Sequence, residues 1–159
     1  MIHYRNDVRA SGVNGRALVA TARRLLGAIG ERGSELSLSL VNDDTIRSLN
    51  RSYRGRDAAT DVLSFPLESI NSVEGGGALE PAVPERLLGD VVISVETAKR
   101  QAAAYDAPLQ LELYRLLIHG LLHLKGHDHM AVSERRVMQR EERRLADAIA
   151  LPWPYATAH

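Results

Sequence analysis

The sequence predicts an α+β fold in a single domain, on three observations. Strand-length segments, among them residues 35–41 with a strict period of two and the apolar run 89–94, are interleaved with segments whose apolar residues recur at helical spacing. The length, 159 residues, suits one domain with a real core, so residues 1–159 are read as one unit. A hydrophobic content of 45% beside 25% charged residues is ordinary for a globular chain.

Taken in order, residues 2–5 read as a short strand. Over 15–30, Leu18, Val19, Ala22, Leu25, Leu26 and Ile29 recur at helical spacing, and Gly30 is a good stop. Residues 35–41 alternate as a half-buried strand. Asn42, Asp43 and Asp44 offer caps for a short helix through Ile46 and Leu49. Residues 61–65 read as a strand closed by Pro66. The irregular stretch 69–86, with Gly75, Gly76, Gly77, Pro81 and Pro84, reads as a flexible surface loop, too short to separate two domains. Residues 89–94 form an apolar strand leading into a helix that Ser94 can cap and that runs to about Tyr105. Pro108 sits near the start of a helix carrying Leu109, Leu113, Leu116 and Leu117. A charged final helix, 133–149, has Met138, Leu145 and Ile149 on one side and ends before Pro152 and Pro154. The sum is about four strands and five helices around one sheet.

Composition excludes several function classes. The net charge is +0, so no global field draws the chain to nucleic acid, although a local basic surface remains open. One Trp, one Phe and five Tyr are too few for a single-strand binder built on aromatic stacking platforms. Without cysteine there are no disulfides, thiolate zinc sites, Fe–S clusters or cysteine nucleophiles, which fits a cytoplasmic protein. Residues 1–7 hold no apolar signal core, and no stretch approaches membrane-spanning length, so no membrane partner is expected.

The run His119-Gly120-Leu121-Leu122-His123-Leu124-Lys125-Gly126-His127-Asp128-His129 holds four of the six histidines. His119 and His123, four apart, project from one helix face. Gly126 can end that helix in a left-handed conformation. The chain then turns back and can offer His129 from the far side. Three imidazoles around one point with an open fourth position describe a catalytic zinc site, one ion per chain, better than a structural one. His127 lines the site or donates to substrate; as a fourth ligand it is disfavoured, because residues two apart in a tight loop rarely both reach one ion. Asp128 is either a carboxylate that orients a ligand imidazole or a turn-stabilising side chain. In zinc proteases of the H-E-x-x-H type the residue after the first histidine is the general base; here it is Gly120, which demotes a peptidase mechanism. A metal that lowers the pKa of its water toward about 7 suits a phosphodiester as well as an amide.

Asn50-Arg51-Ser52-Tyr53-Arg54-Gly55-Arg56-Asp57 places three arginines between a helix and a strand. The guanidinium fork matches phosphate oxygens. By composition alone a solvated charged loop is the simpler reading.

Four segments, in order, resemble the YbeY family of bacterial endoribonucleases. They are Leu49-Asn50 with Tyr53-Arg54, Thr60-Asp61-Val62-Leu63-Ser64-Phe65-Pro66, Leu88-Gly89-Asp90-Val91-Val92-Ile93-Ser94, and His119 to His129. The last is the most specific, and the resemblance covers nearly the whole chain. It implies a mixed sheet of about four strands covered by helices, and a zinc site at the end of a central helix held by His119, His123 and His129. It also makes Arg54 a catalytic phosphate contact, while Arg51 and Arg56 stay unassigned. The implied function is zinc-dependent cleavage of single-stranded RNA in ribosomal RNA processing, at the 3′ end of 16S rRNA, and in ribosome quality control. The implied partners are precursor rRNA and the ribosome or its small-subunit proteins, with no DNA. The rivals are a zinc-containing ribosome-assembly factor without nuclease activity and a zinc hydrolase of a peptide or amide. Nothing is carried onto the glycine-rich loop or the tail after Leu151.

Overall fold

The computed structural model describes residues 1–9, 12–67, 87–126 and 132–155. The expected loop at 69–86 and the candidates His127, Asp128 and His129 therefore lie outside the described residues.

Among the described residues there are four strands and five helices: β1 (Ile2–Asn6), α1 (Gly15–Ala28), β2 (Glu35–Val41), α2 (Asp43–Arg54), β3 (Val62–Pro66), β4 (Leu87–Ser94), α3 (Val95–Ala104), α4 (Leu109–Leu124) and α5 (Val132–Ala148). Asparagine or serine side chains cap three of the helices. Asn14 accepts from the Ala17 N–H, Asn42 from Thr45 and Ser94 from Thr97, each satisfying a backbone donor that the first turn leaves over.

The strands form one mixed sheet in the order β1-β2-β4-β3. β1 and β4 flank β2 in parallel, while β3 runs antiparallel to β4, with Val62 opposite Ile93 and Pro66 opposite Gly89. β3 is thus an edge strand. The period of two in β2 sends Leu36, Leu38 and Leu40 into the main core with α1, α3, α4 and α5. The other face is covered near β3 and β4 by α2, where Ile46 packs with Val41, Leu63, Val92 and the partly buried Leu49 and Phe65. A buried leucine contributes about 1.5–3 kcal/mol relative to exposure, so the main core dominates the fold.

α4 is the central helix. Leu113, Leu116, Leu117, Ile118, Leu121, Leu122 and Leu124 are buried on several sides, as expected of a helix enclosed between a sheet and other helices. One polar stripe breaks this pattern: Glu112, Arg115, His119 and His123 follow each other at three- and four-residue steps. Glu112 is 0% exposed and accepts from Gln101 Nε2, from Arg115 Nε and Nη2, and from the Tyr155 hydroxyl. The tail through Tyr155 is thereby held on α4. Tyr155 also meets Tyr105 and Trp153 edge to face and lies under the Arg115 guanidinium.

Several boundaries differ from expectation: β4 already starts at Leu87, and β3 includes Pro66. Two differences bear on the site. α2 continues to Arg54 and ends at Gly55 (φ 72°), so Arg51 and Arg54 are helical and only Arg56 lies in the connection. The surplus is a helical turn of polar residues that burial patterning alone cannot see. β3 begins at Val62, because the Asp61 carboxylate accepts the Val62 N–H in a local bond.

Candidate functional site

α4 lies unusually close to the sheet at Gly120. A β-carbon built there would stand 2.9 Å from Val91 Cγ1 and 3.2 Å from Ser64 Oγ. Ser64 Oγ uses the closeness to donate to the Gly120 carbonyl at 2.9 Å. Gly120 thus has no room for a side chain, and a glutamate in the position of a protease base would be directed into the sheet. This close approach sets His119 and His123 beside β3.

The two imidazoles are half-buried, with ring centroids 4.7 Å apart and Nε2 atoms 3.2 Å apart. Two such nitrogens at this distance share a proton or flank a cation. A tetrahedral zinc with Zn–N bonds of about 2.0–2.1 Å holds its ligand nitrogens about 3.3 Å apart, so the pair fits the metal. Nδ1 of His119 is 2.5 Å from Glu142 Oε2. A proton on Nδ1 donated to that carboxylate leaves the Nε2 lone pair for a metal, the usual arrangement behind a ligand histidine. Among the described residues no third His, Asp or Glu completes a metal-binding group with the pair. Beyond His123, Gly126 ends the helix region at φ 98°, as its place in the motif predicts. Lys125 next to it is pinned to the buried Glu31 at 2.5 Å.

Arg54 comes from the opposite side of the sheet. From the end of α2 it reaches the edge of β3 and donates Nη2 to the Ser64 carbonyl at 3.0 Å. Arg54, Arg56, Asn50, residues 60–64, His119 and His123 line one cleft of about 580 Å³. Asn50 is buried and donates to the Ala58 carbonyl, holding the turn that brings Thr60 and Asp61 to the cleft. The arginines therefore separate. Arg54 and Arg56 face the cleft, whereas Arg51, with Arg47, pairs with Asp57. Asp57 is held below the usual carboxylate range by the hydrogen bonds from Arg47.

The structure brings together His119, His123 and Arg54, which lie far apart in sequence. Glu142 is the site residue that sequence reasoning missed. A signal for it existed: with Met138 and Leu145 it lies on the buried side of α5, and a carboxylate on an apolar helix face needs a partner. What that partner is depends on how α5 meets α4.

A family model described as "Endoribonuclease YbeY" matches residues 6–150. The chain is 47% identical over 136 residues to the endoribonuclease YbeY of Anaeromyxobacter sp., covering 86% of this chain and 65% of that protein. It is 49% identical to that of Myxococcus xanthus, over 82% of this chain and 42% of the relative, and 43% identical to that of Pelotomaculum thermopropionicum, over 84% and 85%. The chain thus spans about two thirds or less of the first two relatives' length. A Thermotoga maritima protein solved in solution superposes with a TM-score of 0.57 at 25% identity, over 94% of this chain and 89% of its own. With the family model covering nearly the whole chain, and the described parts of the four motifs falling on the core strands and around the cleft, the protein belongs to the YbeY family.

Proposed function

We propose that this protein is a zinc-dependent endoribonuclease that cleaves single-stranded RNA during ribosomal RNA maturation, at the 3′ end of the small-subunit RNA. The observation that carries the reading is the convergence of a histidine pair and a guanidinium on one open cleft, in a chain of the YbeY family. His119 and His123 would hold the metal from α4, with His129 completing the set. Zinc, when bound, supplies Lewis acidity toward a phosphate oxygen or a nucleophile.

The chain's own residues do the rest. Glu142 keeps the His119 proton at Nδ1 and fixes the ring. Arg54 spends one donor on the Ser64 carbonyl, which orients its fork, and presents the others to the phosphoryl oxygens, where charge develops during transfer. Arg56 adds positive potential that draws in the RNA backbone. Because Gly120 stands where an H-E-x-x-H protease carries its glutamate base, a peptide substrate is disfavoured.

The test uses an end-labelled fragment from the 3′ region of small-subunit ribosomal RNA. Wild type is run beside His123→Ala and Arg54→Ala, with and without a chelator. Cutting by wild type alone, abolished by chelation, is expected, with Arg54→Ala losing far more cleavage than zinc. Equal cutting by wild type and His123→Ala, or none by either, would instead favour the assembly-factor reading. Equal loss of zinc and cleavage in Arg54→Ala would make Arg54 structural.

A further inference from the structure

At 69% exposed, Tyr53 is the most exposed large hydrophobic side chain among the described residues. Its position is nevertheless held. The Tyr53 and Phe65 rings pack in a T shape, centroids 5.3 Å apart and planes at 63°, and Phe65 packs in turn against the cluster of Val41, Ile46, Leu63 and Val92. Neither ring lines the cleft, but both adjoin it along the chain: Tyr53 precedes Arg54, and Phe65 follows Ser64, whose carbonyl Arg54 holds. The other tyrosines are engaged elsewhere. Tyr4 and Tyr114 pack against the main core, while Tyr105 and Tyr155 meet each other. Among the described residues the one arginine stacked on a ring is Arg115, on Tyr155, so no guanidinium covers the Tyr53 face.

We infer that Tyr53 is a stacking platform for one unpaired nucleobase next to the phosphate held by Arg54. This rests on the ribonuclease reading and adds to it a source of single-strand selectivity. A base inside a duplex has both faces occupied by its neighbours, whereas an unpaired base can lay one face on the ring. Arg54 and Arg56 in the adjoining cleft, against the single carboxylate Asp61, supply the charge complementarity that a nucleic acid strand requires and an apolar protein partner does not. The few aromatics of the chain argue against a row of platforms, not against one.

The experiment mixes zinc-loaded protein with single-stranded RNAs carrying 2-aminopurine at successive positions and follows fluorescence by stopped flow before cleavage proceeds. Wild type should quench one position, beside the cleavage site. Tyr53→Phe should keep that quench and bind within about twofold. Tyr53→Ala should lose it and bind about 5- to 150-fold more weakly, the range for one base–aromatic stack. KM should rise with kcat nearly unchanged, because stacking acts equally in ground and transition states. Tyr53→Ala with wild-type quench and affinity overturns this inference alone. A wild type that neither binds nor cuts the strand overturns the ribonuclease reading and this one with it.

Discussion

Gly120→Ala tests the contact on which the site depends. In an ordinary helix interior this change stabilises by about 0.5–1 kcal/mol, because alanine loses less backbone entropy. Here the added carbon would stand 2.9 Å from Val91 Cγ1 and 3.2 Å from Val91 Cγ2 and Ser64 Oγ. Val91 is 0% exposed on a central strand, and its β-branched side chain has little rotamer freedom to retreat. Overpacking of this kind costs about 1–3 kcal/mol, so the repulsion outweighs the entropy gain. The net loss, up to about 2.5 kcal/mol, corresponds to a fall in Tm of up to about 10 °C for a chain of this size. Relief of the clash lifts α4 and the histidine pair away from β3 and Arg54, and a shift of that kind should weaken the proposed RNA cleavage by up to about a hundredfold. Gly27→Ala is the internal control. It lies in α1 with its nearest non-neighbour atom, from Arg32, at 3.9 Å, so it should stabilise. Thermal denaturation followed by circular dichroism reads both variants. A Gly120→Ala protein as stable and as active as its Gly27→Ala counterpart would refute the claim that this close approach places the site.

Three further outcomes follow from named contacts. Glu142→Ala should weaken zinc binding about 10- to 100-fold, and Glu142→Gln less, in competition with a chromophoric chelator; unchanged affinity would remove Glu142 from the site. Tyr155→Phe deletes a 2.7 Å donor to buried Glu112, which also pairs with Arg115, and should cost about 1.5–3 kcal/mol in urea denaturation, whereas an unchanged midpoint would mean the tail is not held there. For Asp43, burial by itself raises the carboxyl pKa, but hydrogen bonds from Ser94, Thr97 and Arg100 outweigh it and leave the pKa lowered. Its folded value lies below the unfolded one, so its contribution is present above about pH 4 and is lost as pH falls through the folded pKa. Asp43→Asn should therefore flatten the acid limb of the stability curve, and an identical acid limb would show that the pairing is unimportant.

By itself the sequence determined the elements and part of the site. Leu36, Leu38 and Leu40 alternate because one sheet face is buried, and Asn42 and Ser94 announce helix starts because their side chains cap. His119 and His123 were legible because four residues are one helical turn, a relation local enough to read along the chain. Arg54 was not legible on those grounds. Three arginines of similar spacing look alike until the fold turns Arg51 to Asp57 and Arg54 to the Ser64 carbonyl, and only the family resemblance singled it out. Gly120 could be seen to lack a protease base, but not to lack the space for one, because Val91 and Ser64 meet it from distant strands. Glu142 and Tyr53 remained hidden for the same reason. Periodicity reports which face a residue occupies, whereas the partner on that face is decided only when α5 meets α4 and α2 meets β3.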